Sequence, residues 1–173
     1  VQQYNKSLPK AEEYLSQRGL TLEDAQAFWM GVVEEPLPGH EQFVGRLAIP
    51  YLTPTGVVDL RFRSLRNEEP KYLGLPGAET TMFNVAALFA AKSYICVCEG
   101  EMDTIIMSTK TAHPTVGVPG AQAWKPHYTR LLEDFEHVIV LADGDAAGSA
   151  FAQKILRELS AVKIVSMPED NDV

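Results

Sequence analysis

Residues 94–103, Tyr-Ile-Cys-Val-Cys-Glu-Gly-Glu-Met-Asp, and residues 138–148, Val-Ile-Val-Leu-Ala-Asp-Gly-Asp-Ala-Ala-Gly, each run apolar and then stop at acidic residues and glycine. Apolar runs of this length, bounded by turn residues and followed by helix-like sequence, read as buried parallel strands feeding helices. In open α/β sheets the binding crevice lies at the carboxyl ends of the strands. That placement brings Glu99, Asp143 and Asp145 to one edge of the sheet.

From residue 94 onward strands and helices alternate. Strands are expected at 94–98, 114–118, 137–142 and 162–167, and helices at 102–110, 121–135 and 146–159. The result is a four-stranded parallel βαβαβαβ unit flanked by helices, with right-handed crossovers. The first half reads as a smaller, mixed α+β subdomain. A helix is expected over 9–19, with Gly19 as its C-cap, and a second from Thr21 to about Trp29, opened by a Thr21/Asp24 capping box. Residues 34–40, rich in proline and glycine, form a connector. Strands at 46–51 and 57–63 follow, joined as a hairpin through Thr53-Pro54-Thr55-Gly56. Residues 67–80 read as irregular, and a short helix is expected over 84–91. The division between the halves is placed near residue 92, giving subdomains 1–92 and 93–173.

A chain of 173 residues with 46% hydrophobic content is globular and has length for a core. No apolar stretch is long enough to span a bilayer, and the N-terminus has no signal-peptide pattern. Cys96 and Cys98 face the same way on one strand, which suits neither a disulfide nor a zinc knuckle. Buried thiols in a reducing, cytoplasmic setting are expected. The net charge of −8 argues at first against a polyanionic partner, but its distribution is uneven. Residues 99–173 carry twelve acidic against six basic side chains, whereas residues 40–98 carry five acidic against six basic. An acidic segment that takes cations, beside a more basic one, suits a metal-dependent nucleic-acid enzyme.

Taken singly, an acidic residue at a strand–helix junction is ordinarily an N-cap or a first-turn charge. Asp103, one turn beyond Glu99, and Asp170 are both open to that explanation. Glu99, Asp143 and Asp145 together are not, because carboxylates gathered at one edge repel unless cations lie between them. A magnesium site is the expectation. Gly144 and Gly100 allow tight turns and close approach there.

At these residues the chain resembles the TOPRIM domain of DnaG-type primases, type IA and type II topoisomerases, and some nucleases. The pattern is carried by Glu99-Gly100, by Gly117-Val118-Pro119-Gly120, and by Asp143-Gly144-Asp145, and it covers residues 94–173. Earlier segments, Arg46-Leu47-Ala48-Ile49-Pro50, Arg61-Phe62-Arg63 and Pro70-Lys71-Tyr72-Leu73, are similar to the region before TOPRIM in DnaG-type primases. Tyr14-Leu15 with Arg18-Gly19 also fits. Residues 99–103 and 135–148 look like the primase half of phage primase–helicases. The resemblance implies a DNA primase catalytic core that makes short RNA primers on single-stranded DNA. It also implies a TOPRIM domain cut short at its C-terminal end, without the zinc module or the helicase-contacting region.

By that resemblance two Mg²⁺ (or Mn²⁺) ions are held by Asp143, Asp145 and Asp172, with Asp103 a second-line ligand and no zinc in this segment. Glu99 is either a metal ligand or a general base. Arg46, Arg61, Arg63 and Lys71 contact template or nucleotide phosphate, and alternation puts Arg61 and Arg63 on one strand face. Gly117 and Gly120 are candidates for a phosphate-binding loop, although a plain turn explains them as well. Trp124, Tyr72 and Phe83 are open to base stacking or, more simply, to packing. The four histidines show no ligand spacing. Implied partners are single-stranded DNA, ribonucleoside triphosphates and a replicative helicase in the full-length protein, within a bacterial or phage-infected cell. Two rival readings stand: a TOPRIM nuclease using the same carboxylates, and a non-catalytic nucleic-acid-binding replication module.

Overall fold

The structure is a computed structural model and describes residues 1–66 and 68–168. The chain divides into two compact units, Val1–Glu79 and Thr80–Val173.

The first unit opens with helix α1 (Gln2–Asn5), a 3-10 turn at Leu8–Ala11, helix α2 (Glu12–Ser16) and helix α3 (Leu22–Ala27). The single helix expected over 9–19 is thus split, its first turn wound as 3-10 around Pro9, which has no N–H to give an α-helical bond. Gly19 ends it in the left-handed region (φ 70°), with Leu20 N–H donating to Leu15 O at 2.9 Å. The Thr21/Asp24 capping box is present in both directions. Strand β1 (Gly31–Val32), which carries no periodicity, then pairs with β2 (Leu47–Thr53). Strand β3 (Gly56–Arg63) follows through the expected hairpin, and β4 (Tyr72–Gly74) closes an antiparallel sheet of order β1-β2-β3-β4. β1 reaches only Leu47 and Ala48. Pro50, which has no N–H to donate, therefore sits beyond its reach. Tyr4, Val33, Phe43, Ala48, Leu60 and Phe62 form the core, with the Phe43 and Phe62 rings stacked at 3.8 Å.

The second unit contains helix α4 (Ala86–Ala90), strand β5 (Tyr94–Cys98), helix α5 (Glu101–Lys110), strand β6 (Thr115–Gly117) and helix α6 (Pro126–Leu132). Strand β7 (His137–Ala142), helix α7 (Ala146–Glu158) and strand β8 (Val162–Ser166) complete it. All four strands are parallel, in the order β6-β5-β7-β8. Ile95 and Val97 of β5 join the core packed by Trp124, Tyr128, Phe151 and Ile155. Cys96 and Cys98 point to the opposite face, with Leu141 and Met107 of α5. Both faces are therefore covered, as a parallel sheet requires. Residues 80–92, grouped with the first half on sequence, belong here because Phe83 pairs with Gly117 on the free side of β6. The helix expected over 121–135 is interrupted. Lys125 precedes Pro126 and is held extended (φ −111°, ψ 146°), leaving a 3-10 turn at Ala121–Ala123 before α6.

Phe62→Ala removes half of the aromatic stack and should cost about 3–5 kcal/mol of unfolding free energy. Phe89→Ala, at a side chain 77% exposed, should stay within about 0.5 kcal/mol. Native-state hydrogen exchange measured unit by unit checks both, since two units need not unfold in one step.

Candidate metal centre and basic cluster

The strand order sets the position of the acidic residues. From β5 the chain crosses to β6 on one side and then returns to β7 on the other, so the connections diverge between β5 and β7. A crevice opens at the carboxyl ends of strands where such a switch occurs. Glu99 follows β5, and Asp143 and Asp145 follow β7. Asp103 stands in the first turn of α5. Its carboxylate folds over Gly100, where any Cβ would collide with Oδ2.

Glu99 is half-buried, and its Oε2 is buried with no hydrogen-bond partner. Burial pushes its carboxyl above the usual range, and the negative charges of Asp143, Asp145 and Asp103 push it further. Burial also drives the Cys98 thiol well up, followed by the charges of Asp103, Cys96 and Asp143. Both groups sense the same concentration of negative charge. Asp145 accepts a hydrogen bond from Gly148 N–H at 2.7 Å and so caps α7. Gly148 must lack a side chain, since a Cβ there would lie 2.6 Å from Asp143 N.

The oxygen-only character of this set suits a hard cation such as Mg²⁺ or Mn²⁺. The orphaned Glu99 oxygen is an acceptor that a cation would satisfy. Among the described residues, no group of three or more His, Cys, Asp or Glu side chains is arranged to hold a metal ion. The carboxylates influence one another without converging. Asp172, expected as a ligand, lies outside the described residues, as do Glu169 and Asp170.

Gly117 and Gly120 do not offer their amides to a phosphate. Gly117 N–H donates to Phe83 O at 3.1 Å and Gly120 N–H to Glu99 O at 3.3 Å. They fasten the loop to its neighbours, and the plain turn is the better description. Trp124 and Phe83 are core residues. Glu101, 1% exposed at the start of α5, was absent from the sequence expectation. Its place two residues beyond Glu99 was the available signal.

In the first unit, Arg61 and Arg63 share a strand face as the alternation requires. Their guanidiniums lie 4.7 and 4.8 Å from the centre of the Tyr72 ring. Arg63 is only 4% exposed and donates to Tyr72 Oη. It also approaches Tyr14 at 5.7 Å, and Arg18 covers that ring at 5.1 Å. Burial takes Arg63 out of direct phosphate contact and makes it the support for Tyr72. Arg61 and Arg46 are half-buried and Lys71 is exposed. Arg46 donates to Pro70 O at 2.9 Å, next to Lys71. Tyr14 stands on α2 and Arg18 in the turn that follows it; on sequence this pair was noted for its likeness to primases.

Residues 96–173 match the Toprim-like family. The Gene 57 protein of Mycobacterium phage D29 is 40% identical over 134 residues, covering 75% of this chain and 88% of that protein. A DNA primase of Staphylococcus aureus is 28% identical over 92% of this chain, which spans 29% of its length. A solved DnaG primase catalytic domain bound to single-stranded DNA aligns over 98% of this chain and 71% of its own, with a TM-score of 0.75 at 21% identity. Among the described residues no helix is long and apolar enough to cross a membrane.

A raised carboxyl pKa means that the folded state holds this proton more tightly than the unfolded chain. The stability it contributes is present below the unfolded value, about 4.3, and is lost as pH rises through the folded one. Without metal, Glu99→Gln should therefore raise Tm at pH 7, and the difference should vanish in acid. Thermal melts in chelator at several pH values test this, and equal Tm values at pH 7 would contradict it.

Proposed function

Since this chain belongs to the Toprim-like family, with a TOPRIM domain of the DnaG primase type, we propose that it is a primase catalytic core that joins ribonucleotides on single-stranded DNA. Support for the proposal comes from Glu99, whose buried Oε2 lacks a hydrogen-bond partner among the described residues and whose carboxyl is pushed up by burial and then by the charges of Asp143, Asp145 and Asp103. Asp143, Asp145 and Asp103, with Asp172 beyond the described residues, would hold two Mg²⁺ or Mn²⁺ ions, which would supply Lewis acidity for nucleotidyl transfer.

Glu99 would serve either as a metal ligand, through its buried Oε2, or as the base that accepts the proton of the attacking hydroxyl, since burial and its acidic neighbours raise its proton affinity. Asp145 is held in place by its cap on α7, and Asp143 by the close approach of Gly148. Arg46, Arg61 and Lys71 take phosphates of the template or of the ribonucleoside triphosphate. Arg63 orients Tyr72 and, through it, Arg61. A replicative helicase acts with the full-length protein, in the cytoplasm of a bacterium or of a phage-infected cell.

The chain is incubated with labelled single-stranded DNA, the four ribonucleoside triphosphates and Mg²⁺ or Mn²⁺. Short RNA products are expected, reduced on the order of a hundredfold or more in Glu99→Gln and Asp143→Asn. Metal-dependent shortening of the DNA without synthesis would instead identify a nuclease. Arg61→Ala should weaken binding to single-stranded DNA of any sequence and flatten its salt dependence by about one counterion. An unchanged salt slope would remove Arg61 from the phosphate-contacting set.

A further inference from the structure

Glu99 lies between Cys98 and Gly100, and a single hydroxyl, that of Thr104, reaches both neighbours. Thr104 is fully buried on α5. Its Oγ1 donates to Gly100 O at 2.7 Å, and its backbone N–H donates to the same oxygen at 3.2 Å. The Cys98 thiol is the hydroxyl's other hydrogen-bond neighbour. On the far side is Gly117 at the end of β6. A Cβ there would lie 2.6 Å from Thr104 Oγ1 and 3.2 Å from Gly100 O. The hydroxyl thus occupies a closed space among the end of β5, the turn after it and the end of β6. The same three segments are joined by Val118 N–H to Cys98 O at 2.9 Å and by Gly120 N–H to Glu99 O at 3.3 Å.

A helical threonine commonly bonds back to the carbonyl four residues earlier, with little consequence. Thr109 does so on this same helix, donating to Ile105 O at 2.8 Å. Thr104 differs in what its acceptor belongs to. Gly100 is the turn residue that sends the chain away from Glu99, and glycine would otherwise leave that turn loose. Gly117 has no side chain where the hydroxyl needs room. Two residues without Cβ atoms and one hydroxyl therefore restrict the backbone on both sides of Glu99.

We propose that Thr104 is a positioning residue for Glu99: its hydroxyl fixes the direction in which the Glu99 carboxylate leaves the sheet, and through it the affinity of the acidic cluster for a divalent cation. This rests on the metal-dependent function proposed above.

The test is a Mn²⁺ titration of the full chain, following free Mn²⁺ by electron paramagnetic resonance, beside amide exchange at Val118 and Gly120. Thr104→Val keeps the shape and removes the hydroxyl. It should weaken Mn²⁺ binding on the order of tenfold, as loss of a supporting hydrogen bond does at metal sites, and speed exchange at both amides. Thr104→Ser should restore both, and Thr109→Val should bind Mn²⁺ as the parent chain does. Gly117→Ala, which displaces the hydroxyl without removing it, should also weaken binding and serves if Thr104→Val does not fold. A purely structural role would lower Tm in Thr104→Val and Thr109→Val alike and leave Mn²⁺ affinity unmoved. Parental affinity in Thr104→Val or Gly117→Ala overturns the proposal while the metal site stands. A parent chain that binds no Mn²⁺ overturns the metal-dependent function, and this inference with it.

Discussion

Mutual repulsion among Glu99, Asp103, Asp143 and Asp145 is the constraint around which the second unit is built. Nothing in the hydrophobic core asks for these charges, and a buried carboxylate oxygen without a partner lowers stability. The backbone nevertheless leaves them near enough for Glu99 to sense the other three. Gly148 lets α7 start against the main chain of Asp143, and Gly100 lets Asp103 fold back across the turn. Only part of the strain is relieved within the protein, where Asp145 caps α7 and meets the positive end of its dipole.

The first unit handles charge of the opposite sign by another route. Its guanidiniums are spread over tyrosine rings, with Tyr72 taking Arg61 and Arg63, and Tyr14 taking Arg63 and Arg18. Cation–π contact lays a guanidinium against a ring and sets its direction. The rings thus serve as supports, with Arg63 buried against Tyr72 and Arg61 half-buried beside it.

The parallel sheet was legible because β5 and β7 are unbroken apolar runs closed by acidic residues, a signal that survives without periodicity. The placement of Glu99 after β5, and of Asp143 and Asp145 after β7, was legible for the same reason. Shorter elements were not. Tyr72–Gly74 and Gly31–Val32 are strands by virtue of the neighbours they pair with, and two or three residues carry no pattern of their own. Pro126 marked the break before α6 and should have outweighed the helical spacing around it. Arg63 read as a phosphate contact because burial beside Tyr72 and Tyr14 is a matter of packing between distant segments. Gly117 was open to a phosphate loop or a plain turn for a similar reason: the hydroxyl it makes room for comes from another element.

Cys96 and Cys98 sit under α5 on one face of the sheet, and burial raises both thiols above their ordinary range. Alkylating agents and peroxide react with the thiolate, so this pair is chemically silent while α5 stays seated. Any event that lifts α5 exposes both sulfurs at once, immediately before Glu99. The chain thus carries a chemical record of its own opening: the rate at which these thiols become modified counts how often the floor of the acidic crevice comes apart.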